Sequence, residues 1–524
     1  MYLMITKTKY KNKIYKQGMI AESYRHEGKI NHRILKNIGP LATKEDEIKA
    51  KNLLEKMKRG KKLVAFDEIS HDKVLEYGIA YLSEKLWEKF EMKEIIEEMF
   101  SEREMKFNIF ESIFLLTVSR LYGLTSDLET YGWIKNDLHY PTDIQLHHLY
   151  RTLDFLEQEK DKFERLLLKQ LKKKENLKVD TVFYDLTSTY FEGKGPKKAK
   201  YGYSRDKKRG KKQVVLGLVL CNGYPITHKI WPGNTKDKST LKDAVSDLKG
   251  KFKIKKVIFV ADRGLVIETN LEELESNEYD YIIATNRRND NFVKDLITQE
   301  TEKGAKTVKV DGKRRYILCF DKETQESERE HLKRTIKECQ EKLEKIRKDS
   351  NGKSRRTENG IRSDIEKSLK KDKKFFSWKF SKEKAFTYSL KKDVWEYENA
   401  IAGKFLLVTT SGLNPEKAME SYKDLKFIEQ TFHELKGIIN LRPIGHYKDV
   451  RVEGHVFICV LSILTRRFIS RTLAETNEII KELKRVKAIE TTIGEEKYYF
   501  MTKLTKKQKE IFKKLGVEEP MKYL

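Results

Sequence analysis

The spacing of apolar residues changes several times along the chain, and each change predicts a different kind of structure. Residues 1–40 alternate. Ile14 to Arg25 and Lys29 to Ile38 flank a short turn at Glu27-Gly28, the pattern of a β-hairpin. From about residue 44 to 175 apolar residues recur at three- and four-residue steps. Phe107 to Leu121 and Leu146 to Leu171 carry that period most clearly, so this region is expected to be helical. Near Val179 the character becomes β-rich. Thr181 to Phe191, Val214 to Cys221 and Pro225 to Trp231 read as strands, with Asn222-Gly223 as a hairpin turn between the last two. A short helix (about 240–248), a buried strand (Lys256 to Ala261), a second helix (about 266–276) and a strand (Tyr281 to Ala284) follow. Residues 287–400 break the rhythm with a mixed-charge helix (about Gln325 to Lys348), a polar loop (Asp349 to Gly360) and an aromatic-basic stretch (Phe375 to Tyr397). This region reads as an insertion. Phe405 to Thr410 returns to strand, and Tyr422 to Lys436 and Val452 to Leu473 to helix. The expected division is 1–43, 44–175, 176–286 with 401–475, 287–400 and 476–524.

Composition narrows the function. The chain has 524 residues, 38% of them hydrophobic, enough for folded cores at this length. Its 109 Lys+Arg against 81 Asp+Glu leave a formal charge of +28, which points to a polyanionic partner such as nucleic acid. A Lys- and Ile-rich composition of the kind an AT-rich genome favours is the competing source of that charge. Cys221, Cys319, Cys339 and Cys459 form no C-x-x-C pair, so neither structural zinc nor a disulfide framework is expected. No secretory leader is read at the N-terminus. Val456 to Leu464, bracketed by Arg451 and Arg466, is too short to span a bilayer, and no membrane association is expected. Gly352-Lys353-Ser354 lacks the leading glycine of a phosphate-binding loop, which argues against ATP-driven chemistry.

Three acids carry the chemical argument. Asp185 sits in the strand Phe183-Tyr184-Asp185-Leu186-Thr187, on the same face as Phe183 and Thr187. A charge within a β-rich run is costly unless something pairs it. Asp262 follows Val257-Ile258-Phe259-Val260-Ala261, at the carboxyl end of a buried strand, where α/β sheets commonly place ligands. Taken singly, each acid fits a capping or turn role equally well. Glu429 says more. On a helix running from Tyr422, the residues Tyr422, Lys426, Glu429, His433 and Lys436 fall within roughly 80° of one another. Leu425, Ile428, Phe432 and Leu435 form the adjoining apolar stripe. A solvated amphipathic face is the plainer reading. The phosphate-seeking groups flanking the acid favour a site. Three converging carboxylates suit Mg²⁺, a hard ion that prefers oxygen, and two such ions about 3.5–4 Å apart assist phosphoryl transfer.

In this order the motifs resemble the DDE transposases of bacterial insertion sequences. The subgroup resembled carries a Tyr-x2-Arg-x3-Glu-x6-Lys signature around its last acid, and Tyr422, Glu429 and Lys436 stand at that spacing. Residues 184–193 resemble the block of the first acid and Ala261-Asp262-Arg263-Gly264 that of the second. Pro232-Gly233-Asn234-Thr235 with Asp237 and Thr240, and His446 with Gly454-His455, resemble the intervening and following stretches. Leu425 replaces the signature Arg, leaving Lys426 to supply the charge.

The resemblance implies an α/β fold with a ribonuclease H-like mixed five-stranded sheet core, in which the first and fourth strands are neighbours and bring Asp185 close to Asp262. The 429 − 262 = 167 positions before the last acid would hold the large insertion. An N-terminal β-hairpin and helical DNA-binding region would precede the core. It further implies two Mg²⁺ ions (Mn²⁺ substituting) on Asp185, Asp262 and Glu429. The partners would be double-stranded DNA at the element ends and target, bound by a homodimer, in a bacterial, cytoplasmic, nucleoid-associated setting.

Residues 192–212 hold ten Lys/Arg and two acids and read as a phosphate-contacting loop, with Lys207, Lys208, Arg209, Lys211 and Lys212 as candidates beside Tyr422, Lys426, His433 and Lys436. The stretch 371–397, with Phe375, Phe376, Trp378, Phe380 and Tyr388, suits either base stacking or packing of the insertion. The expected activity is cleavage at terminal inverted repeats and transfer of the 3′ ends to target DNA. A metal-dependent nuclease on the same core and a non-catalytic DNA-binding relative are the alternatives.

Overall fold

The computed structural model describes residues 1–10, 13–26, 28–58, 69–206, 208, 210–236, 239–262, 268–285, 291–301, 304–351, 357–380, 386–470, 472–493 and 496–523. Glu27, Lys207, Arg209, Asp237, Arg263-Gly264 and Gly352-Lys353-Ser354, all singled out above, lie outside the described residues.

The chain opens with strands β1 (Tyr2–Tyr10), β2 (Lys13–His26) and β3 (Lys29–Pro40), an antiparallel sheet in the order β1-β2-β3. The expected hairpin is β2–β3. β1 was not expected, because its alternating Lys and Thr offer no continuous apolar face. Helix α1 (Lys44–Lys58) has acids in its first turn and lysines in its last, complementing the helix dipole. Strand β4 (Ile69–Glu76) interrupts a region expected to be helical, and pairs with a strand more than 400 positions later.

Helices α2 (Gly78–Lys89), α3 (Met92–Met99), α4 (Ile109–Tyr122), α5 (Asp127–Asn136) and α6 (Leu146–Glu175) follow. Asn108 and Ser126 cap α4 and α5 by accepting the backbone N–H groups of Glu111 and Glu129. Next come β5 (Thr181–Tyr190), β6 (Gln213–Cys221) and β7 (Tyr224–Pro232). Asn222 and Gly223, at φ of 48° and 82°, turn β6 into β7. α7 (Leu241–Ser246), β8 (Ile258–Ala261), α8 (Glu268–Ser276), β9 (Asp280–Ala284) and α9 (Asn291–Ile297) continue the core.

β10 (Gly304–Asp311) and β11 (Arg314–Phe320) lead to α10 (Lys322–Asn351), α11 (Glu358–Leu369), the hairpin β12 (Phe376–Phe380) and β13 (Phe386–Leu390), and α12 (Lys392–Ala400). The chain ends with β14 (Lys404–Thr409), α13 (Pro415–Lys423), α14 (Lys426–Gly437), α15 (Asp449–Ile469), α16 (Leu473–Leu483), β15 (Lys487–Ile493), β16 (Glu496–Met501) and α17 (Lys506–Leu515).

Two compact units result. One comprises Met1–Leu75, Lys487–Lys503 and Pro520–Leu524, and contains the first sheet and the sheet β16-β15-β4. The other, Glu76–Val486 with Leu504–Glu519, is built on an eight-stranded mixed sheet in the order β10-β11-β14-β9-β8-β5-β6-β7. β5 runs parallel to β8 and β8 to β9, while the remaining neighbours are antiparallel. Three strands thus extend the expected five. Two of them, β10 and β11, come from the region read as an insertion, and β10 keeps its Lys306 and Lys309 exposed at the sheet edge, a defence against edge pairing.

The rest of that region has its own core of Ile336, Cys339, Leu343, Ile361, Ile365, Phe375, Phe376 and Phe386. Trp378, Phe380 and Tyr388 pack against it, so packing accounts for the aromatic stretch. α15 is the buried central helix expected near residues 452–473. It packs on α4, α6 and β7. Gly454 permits the α6 contact: a Cβ there would lie 2.4 Å from the Leu153 carbonyl oxygen. All four cysteines are free and buried. Among the described residues no helix is long and apolar enough to cross a membrane.

Candidate active site

The parallel register of β5 and β8 puts two acids side by side. Thr181 to Tyr184 pair with Ile258 to Ala261 in step, so the next residue on each strand is Asp185 and Asp262. Asp262 stands exposed at the carboxyl end of β8, and Asp185 is half-buried within β5. Asp185 Oδ1 accepts the backbone N–H of Leu186 at 2.7 Å. Burial pushes the Asp185 carboxyl up to about 7; the Leu186 bond and the Arg205 guanidinium oppose this, and the charges of Asp262 and Glu429 add to it. Glu429 is therefore close enough for its charge to act on Asp185. α14, which carries it, packs against β5. Among the described residues no three His, Cys, Asp or Glu side chains stand ready at metal-holding distance.

α14 is held by its other faces. Ile428, Phe432 and Leu435 are at most 6% exposed. The buried Glu434 carboxylate accepts Arg466 Nε and Arg467 Nη2 from α15, each at 2.6 Å. Arg467 Nη2 also donates to Thr431 Oγ1 at 3.1 Å. A buried acid requires such partners, and here they anchor the helix that presents Glu429. Local periodicity carries no sign that this acid and these two arginines meet.

The helix differs from the expected one. Tyr422 ends up on α13, because Asp424 and Leu425 form a tight turn in which Leu425 N–H donates to the Tyr422 carbonyl at 3.1 Å and a new helix begins at Lys426. Tyr422 packs its ring on Phe405, with centroids 5.6 Å apart. Leu425 is buried at 6% exposure, as its place in the apolar stripe implied. Lys426, Glu429 and His433 are exposed on α14.

Lys436 departs from its expected exposure. Its Nζ lies 2.7 Å from Asp206 Oδ1, with side chains 14% and 4% exposed, and Arg442 also pairs with Asp206. Burial lowers the Lys436 ammonium pKa, and Asp206 opposes that shift. Asp206 belongs to the basic stretch 192–212, whose described residues are tied to the body at several points. Lys200 and Gln213 exchange backbone hydrogen bonds, Lys198 pairs with Glu453 at 2.6 Å, and Lys211 pairs with Glu192 at 2.5 Å. Within it Lys208 and Lys211 are exposed and Lys212 half-buried. Arg205, Asp206 and Arg442 were absent from the sequence reading. His446 lies 3.5 Å from Asp127, and His455 is buried with its ring 5.4 Å from that of His446 and its Nε2 3.3 Å from the Leu441 carbonyl oxygen, so the motif Gly454-His455 is part of the packing.

The chain belongs to the family of DDE transposases: the family model "Transposase DDE domain" matches residues 180–465, more than half of its length. Residues 3–67 match "IS1634 family transposase, N-terminal domain", which makes this a bacterial insertion-sequence enzyme. No curated protein matches the sequence. Among solved structures, the chain is similar to a piggyBac transposase synaptic complex with hairpin DNA, at 10% identity and a TM-score of 0.37, covering 79% of this chain and 82% of that one. It is also similar to a Mos1 transposase paired-end complex with the left transposon end, at 13% identity and a TM-score of 0.16, covering 46% and 68%.

Proposed function

We propose that this transposase binds the terminal inverted repeats of its own element, cleaves the DNA strands there and joins the freed 3′ ends to target DNA, acting as a homodimer that pairs two ends. The observation that carries this reading is the convergence of Asp185 and Asp262 on neighbouring parallel strands, with Glu429 on a helix packed against one of them. The strand order β7-β6-β5-β8-β9, with its first three strands antiparallel and the last two parallel to β5, supports a ribonuclease H-like core. Residues 44–175, with the N-terminal sheet, are assigned to end binding, and 176–286 with 401–475 to catalysis. Residues 287–400 and 476–524 are left as an insertion and a C-terminal segment.

The donor set fits magnesium. It is all carboxylate, and the Asp185 carboxyl, raised first by burial and further by the charges of Asp262 and Glu429, is one that a divalent cation would hold ionised. Asp185, Asp262 and Glu429 would hold it; when bound, paired magnesium or manganese ions supply activation of the attacking oxygen and stabilisation of the leaving one. The protein's own contribution is placement and charge neutralisation. Lys426 and His433 flank Glu429 and orient DNA phosphates. Lys208, Lys211 and Lys212, with Lys207 and Arg209 from the same stretch, contact the phosphate backbone. Lys436 reaches phosphate only by exchanging Asp206 for it, and Tyr422 contacts DNA from α13.

Incubating the protein with Mg²⁺, a target plasmid, and duplexes carrying the inverted repeat either pre-cleaved or uncut tests the assignment. Covalently joined products are expected. Cleavage of uncut ends without any joining would favour the nuclease alternative, and neither product with end binding retained would favour the non-catalytic one.

A further inference from the structure

We propose that the free end of the β2–β3 hairpin is a two-stranded ribbon that enters the major groove of duplex DNA, with Asn31 and Arg33 reading base edges. β1 begins at Tyr2 opposite Ala21, so the backbones of residues 22–26 and 29–33 pair only with each other; the His32 ring contacts Tyr2, with Nδ1 2.6 Å from its hydroxyl. Every residue in both segments is exposed. Tyr24 and Ile30 are 49% and 61% exposed, with no core on either face. A two-stranded ribbon is marginally stable alone, so a conformation this extended is consistent with a surface kept for a partner.

Charge selects the partner. Among the described residues the ribbon carries Arg25, Lys29 and Arg33 against Glu22, and no ion pair ties those three cations. Residues 1–40 as a whole hold nine Lys/Arg and two acids. A polyanion is the complementary surface. Dimensions select the groove. The major groove, about 12 Å wide, admits a two-stranded ribbon in undistorted duplex, whereas the minor groove, about 6 Å wide, must be widened to take one.

Side-chain spacing selects the readers. Tyr24 pairs with Asn31 and Glu22 with Arg33, so Asn31, Arg33 and Tyr24 share one face. Residues two apart on a strand are about 7 Å apart, close to two base-pair steps of about 3.4 Å. Asn suits adenine and Arg suits guanine in that groove. This rests on the end-binding function proposed above.

The test uses the full chain and two probes: a duplex carrying the inverted repeat that flanks the gene, and a random duplex of equal length. Asn31→Ala and Arg33→Ala should each weaken binding to the repeat duplex about tenfold or more. Asn31→Ala should leave the random duplex within about twofold, since it removes no charge. Replacing purines by their 7-deaza analogues, which lack a major-groove acceptor, should weaken wild-type binding at positions where Arg33→Ala is indifferent. Unchanged thermal midpoints would show that these exposed substitutions leave the fold intact. If wild type prefers the repeat and both variants keep that preference, the ribbon assignment is overturned while the function stands. If wild type itself does not discriminate the repeat from random DNA, end binding fails, and the ribbon reading with it.

Discussion

Lys436→Ala separates what the structure says from what a helical wheel says. On the wheel Lys436 is a solvated lysine, and removing it should change stability by no more than about 0.5 kcal/mol. In the structure it is 14% exposed and bonded to Asp206, which is 4% exposed. Breaking a buried pair by deleting one partner costs roughly 3–5 kcal/mol. Here Arg442 remains on Asp206 and is itself 29% exposed, so part of the compensation survives. An effect near 2 kcal/mol is expected, about half the value for a fully abandoned charge. A chain of this size need not unfold in one step, so local opening is the better readout. Hydrogen exchange of the α14 amides should accelerate about 30-fold, given tenfold per 1.4 kcal/mol. The double variant Asp206→Asn with Lys436→Met, which removes both charges and keeps the bulk, should recover much of that loss. Exchange within about twofold of wild type in Lys436→Ala would refute the buried pairing and restore the solvated lysine.

Other outcomes follow from the same geometry. Leu425→Ala should cost about 2–5 kcal/mol, and Leu425→Arg should drive the protein into aggregates, because this residue is 6% exposed; a soluble, fully active Leu425→Arg protein would contradict its packing. Gly454→Ala should force α15 from α6, since its Cβ would meet the Leu153 carbonyl oxygen at 2.4 Å, and a thermal midpoint lowered by several degrees checks this. Asp185, with its native carboxyl raised from 3.8 to about 7, binds its proton more tightly folded than unfolded. Its contribution therefore favours the metal-free fold below pH 4 and is lost as pH rises through 7, while divalent-metal affinity rises over the same window. Asp262→Asn should lower the Asp185 midpoint, measured by carboxyl NMR; an unmoved midpoint would deny their proximity.

The two strand acids were legible because each follows a run whose pattern fixes a strand, and Tyr184-Asp185 and Ala261-Asp262 then fall in parallel register. Glu429 was legible from α14's apolar stripe. The break at Leu425 was not, because Leu425 continues the apolar period straight through the turn, and only the backbone hydrogen bonds reveal it. Asp206 with Lys436, and Glu434 with Arg466 and Arg467, are tertiary pairings between residues up to 230 positions apart, where local periodicity carries no information. β1 and β10 were missed for a related reason. As Lys- and Thr-rich outer strands they expose most of their side chains, and the alternation that marks a strand comes from burial.

The central claim is that Asp185, Asp262 and Glu429 form one metal-dependent centre for DNA strand cleavage. The direct measurement is Mg²⁺-dependent nicking of a duplex carrying the flanking inverted repeat, by wild type and by Asp185→Ala, Asp262→Ala and Glu429→Ala, with end binding measured in parallel. All three variants should bind within a few-fold of wild type, since phosphate contacts dominate affinity, and none should cleave with Mg²⁺ or Mn²⁺. A variant that cleaves at the wild-type rate would remove that acid from the centre.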